Sequence, residues 1–372
     1  MLFKDIVGHE AIKDRLIQTV AEQRVSHAQL FLGPEGSGSL PLAIAFAQYL
    51  NCTNRQPDDA CGECPSCQKF QKLIHPDLHF VFPLVSSLKN PVSESHMEPW
   101  REQLLSQPYF SQNQWVARLG AENKQGFISK DEANHILRKM AYKTYEGEYK
   151  VLILWLPEKL NAYAANALLK LVEEPPEKTV FLLVSEQHER ILPTILSRTQ
   201  MLRIPKIGKL DLARALHMRE GVPQDEAADM AQLADGNYVL ALEHIRESTE
   251  TREYFEQFVA LMRMAFKRDI ASIVSWVDKI HSWGRERQKA FLTYALRMLR
   301  ENFMLQQKQT QLAALTKNEN NFAAKFHPYI HEQNVFQLNA EINEAIADIE
   351  MNGYGKTILL DLALRIVKLI RS

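Results

Sequence analysis

Cysteine is scarce in this chain, with 4 in 372 residues, all lying between positions 52 and 67. A disulfide network spread over a small secreted scaffold is therefore not on offer. Neither sign of charge is in excess either, with 44 Lys and Arg against 45 Asp and Glu. That balance argues against a protein that grips nucleic acid strongly by itself, because such binding rests on concentrated cations. It leaves open a contribution within an assembly. No apolar run approaches the ~20 residues that span a bilayer, and no charged and apolar leader pair opens the chain. The expectation is a cytoplasmic protein without membrane contact, and its length suggests two or three domains.

A second absence is local. Phe31-Leu32-Gly33-Pro34-Glu35-Gly36-Ser37-Gly38-Ser39-Leu40 has the frame of a phosphate-binding loop, G-x-x-x-x-G-K-[ST]. In a working loop the glycines let backbone N–H groups wrap a phosphate, the Lys neutralises it and the hydroxyl holds Mg²⁺. Gly33 and Gly38 keep the spacing and Gly36 lies between them, but Ser39 stands in the Lys position and Leu40 in the hydroxyl position. The flanks suit the motif: Ala28–Leu32 reads as a buried strand, and Leu42, Ala43, Phe46, Ala47 and Leu50 as a helical stripe. Ahead of them, Ile12, Leu16, Ile17 and Val20 repeat at helical spacing.

The cysteines follow as Cys52, Cys61, Cys64 and Cys67. Four thiolates so close in sequence suit one tetrahedral Zn²⁺, with the intervening Gly62 and Pro65 supplying turns. Such a site has no open position and would be structural. A disulfide pair and an iron–sulfur cluster are the competing accounts; a cytosolic setting weighs against the first, and the wide gap after Cys52 against the second. His75 lies close by and reads as structural, not as a ligand.

Between about 80 and 127 the patterning weakens to prolines, polar residues and isolated aromatics (Trp100, Tyr109, Phe110, Trp115), suggesting an elaborated loop with a short helix near Glu98–Leu105. Order returns at Ser129, which with Glu132 makes a capping box for a helix through Met140. Lys150–Trp155 and Thr179–Ser185 are unbroken apolar strands of the parallel-sheet type. Between them a helix runs into Glu173-Glu174-Pro175-Pro176, where the prolines stop it. Strands alternating with helices after a phosphate-loop turn predict an α/β doubly wound parallel sheet.

The run Asn166–Pro176, followed by Pro193-Thr194-Ile195-Leu196-Ser197-Arg198, resembles the clamp-loader branch of the AAA+ ATPases. The cysteine cluster behind the loop helix is similar to the zinc module of bacterial DNA polymerase III clamp-loader subunits. The lost loop Lys points to the delta-prime type and away from the gamma/tau motor type. The resemblance implies a P-loop-type AAA+ domain over 1–204, holding the zinc module at 52–67 and an insertion at about 80–127. It further implies a helical lid at 205–248 and an all-α collar that oligomerises at 249–372. Lid faces are expected at Leu210, Ala213, Leu216, Met230, Leu233 and Ala241. Residues 251–310 carry 11 Lys and Arg against 6 Asp and Glu, a local excess that the resemblance assigns to the collar. Ile342, Ala345, Ile346 and Ile349 suit either core or subunit contact.

Departures from the motor subunits agree with one another. Trp155 and Leu156 stand where motor subunits carry the strand-end acids, Ser185 falls at the first-sensor position, and Val239 replaces the second-sensor Arg. Phosphoryl transfer needs charge neutralisation and a positioned metal, so the chain is expected neither to hydrolyse nor to bind ATP. Ser197-Arg198 survives, and the resemblance makes Arg198 an arginine finger supplied in trans to a neighbouring subunit's ATP. The implied partners are gamma/tau-like motor subunits and a delta-like subunit, with the sliding clamp and primed DNA reached through the assembly. Two alternatives are an NTPase of gamma/tau type, which needs Lys at 39 and an acid at 155, and a zinc-containing nucleic-acid-binding protein. The latter needs a basic, aromatic surround, whereas Asp58, Asp59 and Glu63 flank the cysteines.

Overall fold

Five short segments build one parallel sheet: β1 (Ala28–Leu32), β2 (Leu78–Val81), β3 (Lys150–Trp155), β4 (Thr179–Ser185) and β5 (Gln200–Arg203), in the order β2-β3-β4-β1-β5. The computed structural model describes residues 1–122, 124–307, 315 and 317–370. Every residue of β3 and β4 is buried, which is why neither alternates in sequence: a strand covered on both faces has no polar side. The pleat still sorts their side chains. Val151, Ile153, Trp155, Val180, Leu182 and Val184 join one core with Phe31. Leu152, Leu154, Phe181 and Leu183 join the opposite core with Leu30.

Helices cover both faces, as parallel strands require. In chain order they are α1 (Glu10–Ala21), α2 (Ser39–Leu50), α3 (Pro65–Gln71), α4 (Met97–Ser106), α5 (Gln112–Arg118), α6 (Lys130–Met140), α7 (Ala162–Glu173) and α8 (Pro193–Leu196). Helix α2 is buried along its whole length in the first core, and Ile136, Ala165, Leu168 and Val172 of α6 and α7 lie in the second. The sheet has the parallel α/β architecture expected, with two strands beyond those read from sequence. Both β2 and β5 are four residues long, too short for a periodic pattern to register.

The segment from 80 to 127 departs from its loop-like reading. Trp100 and Trp115 rank among the largest fully buried side chains of the chain. Phe82 stacks on Trp100 at 4.1 Å between ring centroids, and Trp115 meets Trp100 edge-on at 4.9 Å. Aromatics that look isolated in sequence are here one cluster, assembled by α4 and α5. The capping box at α6 is half formed. Ser129 accepts the Glu132 amide at 3.3 Å, but the Glu132 carboxylate turns away and takes the Ser93 amide at 2.5 Å. Glu132 thereby ties α6 to the segment carrying Ser93, and burial raises its pKa.

The chain divides into two units, Met1–Ile245 and Arg246–Ser372. Within the first, α9 (Lys209–Glu220) and α10 (Gln224–Leu233) pack through Leu212, Leu216, Ala227 and Ala231. Ala241 joins that core, whereas Leu210 and Leu233, expected on its apolar face, are exposed. Helix α11 (Tyr238–Lys267) runs through the boundary between the units. The second unit is helical: α12 (Ile270–His281), α13 (Arg285–Gln306), α14 (Lys317–Phe326), α15 (Glu332–Glu350) and α16 (Gly355–Leu369). Its core includes Phe258, Ile273, Phe291, Leu338 and Ile366. Ile342, Ala345 and Ile349 belong to this core, with Ile346 partly buried against it. Local cations are largely spent on neighbours, including Arg287 with Glu253 at 2.5 Å and Lys289 with Glu286 at 3.0 Å.

Candidate functional site

The phosphate loop lies where its motif predicts, between the end of β1 and the start of α2. Gly36 and Gly38 adopt φ of +72° and +87°, the left-handed region that side chains resist. Close neighbours reinforce the requirement: a Cβ on Gly36 would sit 1.9 Å from Asn237 Oδ1, and one on Gly38 2.9 Å from the Tyr109 ring. The frame survives, but its contents have changed. Ser39 is buried and shares a 2.9 Å hydrogen bond with the Ser37 hydroxyl. Leu40, in the place of the metal-binding hydroxyl, is packed in the first core.

What fills the loop is this chain itself. Pro108, Tyr109 and Phe110, from the turn between α4 and α5, line the space over Gly33–Pro41 together with Trp155, Val184, Ser185 and Glu186. About 30 Å³ remains, whereas pockets that take drug-sized ligands hold roughly 300–1,000 Å³. Trp155, at the end of β3, packs its ring 5.1 Å from Phe110 and 5.3 Å from Trp100. Tyr109 stacks on Tyr238 at 4.4 Å, its hydroxyl accepts the Val7 amide at 3.0 Å, and the Tyr238 amide donates to the Gly36 carbonyl at 3.1 Å. Val239 is buried in the α9–α10 core.

Acidic groups gather beside the loop. Ser185 donates to Glu158 Oε2 at 2.9 Å, and the Glu186 amide donates to Glu158 Oε1 at 3.1 Å. Burial, then repulsion from Glu35 and Glu158, pushes the Glu186 carboxyl up to about 7. Among the described residues no Lys or Arg lines the space over the loop, and Glu186 stands at its edge. Tyr109, Phe110, Tyr238, Glu158 and Glu186 carry this arrangement and were not singled out from sequence as site residues, since no motif spacing links them to the loop.

Cys52, Cys61, Cys64 and Cys67 come together behind α2, with Cys64 capping α3. All four Sγ atoms lie within 4.8 Å of one another. The Cys52–Cys61 and Cys61–Cys67 sulfurs are 3.5 and 3.9 Å apart, close to the ~3.8 Å edge of a tetrahedron with metal–sulfur bonds of about 2.3 Å. Amides of Cys61, Cys64 and Cys67 donate to the sulfurs of Cys52, Cys61 and Cys64 at 3.3, 3.3 and 3.4 Å. The residues therefore fit a metal ion held by four thiolates. Burial pushes the Cys52 and Cys67 thiols up, while at Cys64 hydrogen bonds led by the Thr53 hydroxyl outweigh burial and bring it to about 6. His75 stays apart from the sulfurs: its Nδ1 accepts the Asp77 amide at 3.2 Å and its Nε2 lies 3.4 Å from Glu146. Asp59 accepts the amides of Phe3, Lys4 and Ala60, a structural use of the acid beside the cysteines.

Arg198 is in the turn after α8, outside the lining of the filled loop. Its Nη1 donates to the Thr194 carbonyl at 3.0 Å and to Ser197 Oγ at 3.2 Å, and its Nη2 lies 2.5 Å from Glu173 Oε1. The Arg198 side chain is 38% exposed. Among the described residues, no helix is long and apolar enough to cross a membrane.

Comparison with known proteins places these features. A protein of Pseudomonas aeruginosa named DNA polymerase III subunit delta' is 30% identical over 251 residues, covering 66% of this chain and 63% of that protein. Its Bacillus subtilis counterpart is 28% identical over 218 residues, covering 59% and 52%. The tau/gamma subunit of Haemophilus influenzae is 27% identical over 240 residues, covering 63% of this chain but 29% of that protein. The chain thus spans under a third of that tau/gamma relative and between half and two thirds of the delta' relatives. The profile described as DNA polymerase III, delta subunit, matches residues 8–208, from before the phosphate loop to beyond Arg198. Since that match takes in more than half of its residues, this chain belongs to the DNA polymerase III delta subunit family, as a delta-prime-like member.

Proposed function

We propose that this chain is a non-hydrolysing stator subunit of the DNA polymerase III clamp loader, supplying Arg198 to the ATP of an adjoining motor subunit. The observation that carries the reading is the filled phosphate loop, in which Tyr109, Phe110 and Trp155 leave about 30 Å³ where a nucleotide would sit. A charge-assisted contact contributes about 1.5–3 kcal/mol. The loop Lys, the loop hydroxyl and both strand-end acids are gone together, and among the described residues no Lys or Arg lines the space over the loop. An exposed guanidinium outside the filled loop suits a group offered to another subunit. Guanidinium chemistry fits the task, because a planar cation that stays charged spreads over phosphoryl oxygens.

In this reading gamma/tau-like motor subunits and a delta-like subunit are the direct partners, and the sliding clamp and primed DNA are reached through the assembly. The four-cysteine site takes one structural Zn²⁺. With four protein ligands it has no open coordination position, so the metal holds the Cys52–Cys67 segment against α2 and takes no catalytic part. The experiment is calorimetric titration of the isolated chain with Mg·ATP. No binding heat at millimolar nucleotide is expected, and micromolar binding with turnover would overturn the proposal in favour of a gamma/tau-like NTPase.

A further inference from the structure

Arg198 is held before any partner arrives. Its guanidinium has five N–H donors. The contacts to the Thr194 carbonyl and Ser197 Oγ use Nη1, and the contact to Glu173 uses Nη2. No acceptor among the described residues meets Nε. The Glu173 contact is an ion pair made at Nη2, and Nε–H stays uncommitted beside it. The planar fork lets an Arg take two oxygens of a phosphoryl group at once.

We infer that Glu173 is the positioning residue for Arg198: it holds the guanidinium from α7 while the α8 turn holds it through Nη1, so that the group is ordered before it meets an anionic phosphoryl group. The inference rests on the reading of Arg198 as a group supplied in trans. Glu173 is suited to the role by its place in the chain. It is the last residue of α7, just before the Pro175-Pro176 stop, so its backbone belongs to a helix packed on the sheet through Ala165, Leu168 and Val172. Thr194 and Ser197 come from the separate α8 turn. Two elements thus grip one guanidinium from different sides.

Magnitude decides what the pair is for. Both side chains are more than a third exposed, at 38% and 45%, and exposed ion pairs add little to folding stability. A free Arg side chain, by contrast, carries large rotamer entropy, and whatever is lost on engaging a phosphate subtracts from the interaction. Holding the fork beforehand removes part of that cost. The effect belongs to the reacting complex and not to the fold.

The test uses a reconstituted clamp loader containing the full chain, with DNA- and clamp-stimulated ATP hydrolysis measured for wild type, Glu173→Ala, Glu173→Gln, Arg198→Ala and the Glu173→Ala/Arg198→Ala double variant. Glu173→Ala is expected to lower kcat about two- to fivefold, the scale of one exposed ion pair, with KM unchanged. Glu173→Gln keeps an acceptor oxygen and should recover part of the loss. The double variant should be no slower than Arg198→Ala alone, because a positioning residue has nothing to act on once its target is gone. If Arg198→Ala is slow while Glu173→Ala runs at the wild-type rate, or if the two losses simply multiply, the positioning role is wrong and the trans-acting Arg stands. If Arg198→Ala itself runs at the wild-type rate, both fall.

Discussion

Tyr109 and Tyr238 stack with ring centroids 4.4 Å apart and planes 27° from parallel, joining the inserted segment to the start of α11 across the phosphate loop. The Tyr109 hydroxyl accepts the buried Val7 amide, and the Tyr238 amide is bound to the Gly36 carbonyl. The loop is thus part of a packed core in this chain, and its glycines serve close approach of side chains where a working loop uses them for close approach of phosphate.

Core packing at that position should show as stability. Tyr109→Ala is expected to cost about 3–5 kcal/mol, the range for deleting a buried aromatic ring. Tyr109→Phe should cost roughly 1–3 kcal/mol, since the Val7 amide loses its acceptor. Urea denaturation measures both. Neither variant should gain ATP binding, because opening space restores no Lys, hydroxyl or acid.

Glu186 gives a pH signature. Its carboxyl sits at about 7 in the fold against an ordinary value near 4.5, so between those limits the folded chain holds a proton that the unfolded chain has released. Stability from this group is full below about 4.5 and is lost as pH rises toward 7, by on the order of 2–3 kcal/mol. Glu186→Gln removes the ionisation. The stabilising effect of that substitution should therefore be larger at pH 8 than at pH 5 in paired denaturation curves. Equal shifts at both pH values would show that Glu186 is not held protonated.

Residues close in sequence were the legible ones. The loop frame at Gly33–Gly38, the four cysteines and the strands Lys150–Trp155 and Thr179–Ser185 each declare themselves within a few positions, because backbone turns, metal coordination and double-sided burial act locally. The plug was not legible. Tyr109 reaches the loop from about 70 positions away, and what makes it a site residue is the packing of Trp100, Phe82 and Trp115 beneath it, which has no period to detect. Glu158 and Glu186 escape for the same reason: their contact is made by β3 and β4 being neighbours, a fact of topology. Strands β2 and β5 escape because four residues are too few to show alternation.

The cysteine site predicts a metal stoichiometry and a coupling to folding. Elemental analysis of the purified chain should find one zinc, and chelation should lower the urea midpoint, since thiolate ligation is folding free energy. Cys67→Ser should abolish zinc retention, as Cys67 is fully buried at the helix end of the site. ATP hydrolysis by the assembled complex should survive brief chelation, which separates a structural metal from a catalytic one. Iron in place of zinc would favour the cluster account.

Arg198 carries the functional reading, and its replacement is the sharpest test of it. Arg198→Ala should fold normally, because the side chain is partly exposed and its ion pair with Glu173 is of the weak surface kind. The variant should enter the complex and yet slow hydrolysis at the one motor site that borrows the Arg. Trans-acting arginines contribute about 10³–10⁵ in rate at a single site; summed over several ATP sites the observed loss is smaller, and single-turnover measurement is needed to isolate it. Arg198→Lys should rescue poorly. An ammonium presents no planar fork, and a Lys here would also lose the two-sided grip of Thr194 and Glu173 that a guanidinium spans. Normal assembly with wild-type hydrolysis and clamp loading for both variants would reduce Arg198 to a surface residue and the chain to a scaffold.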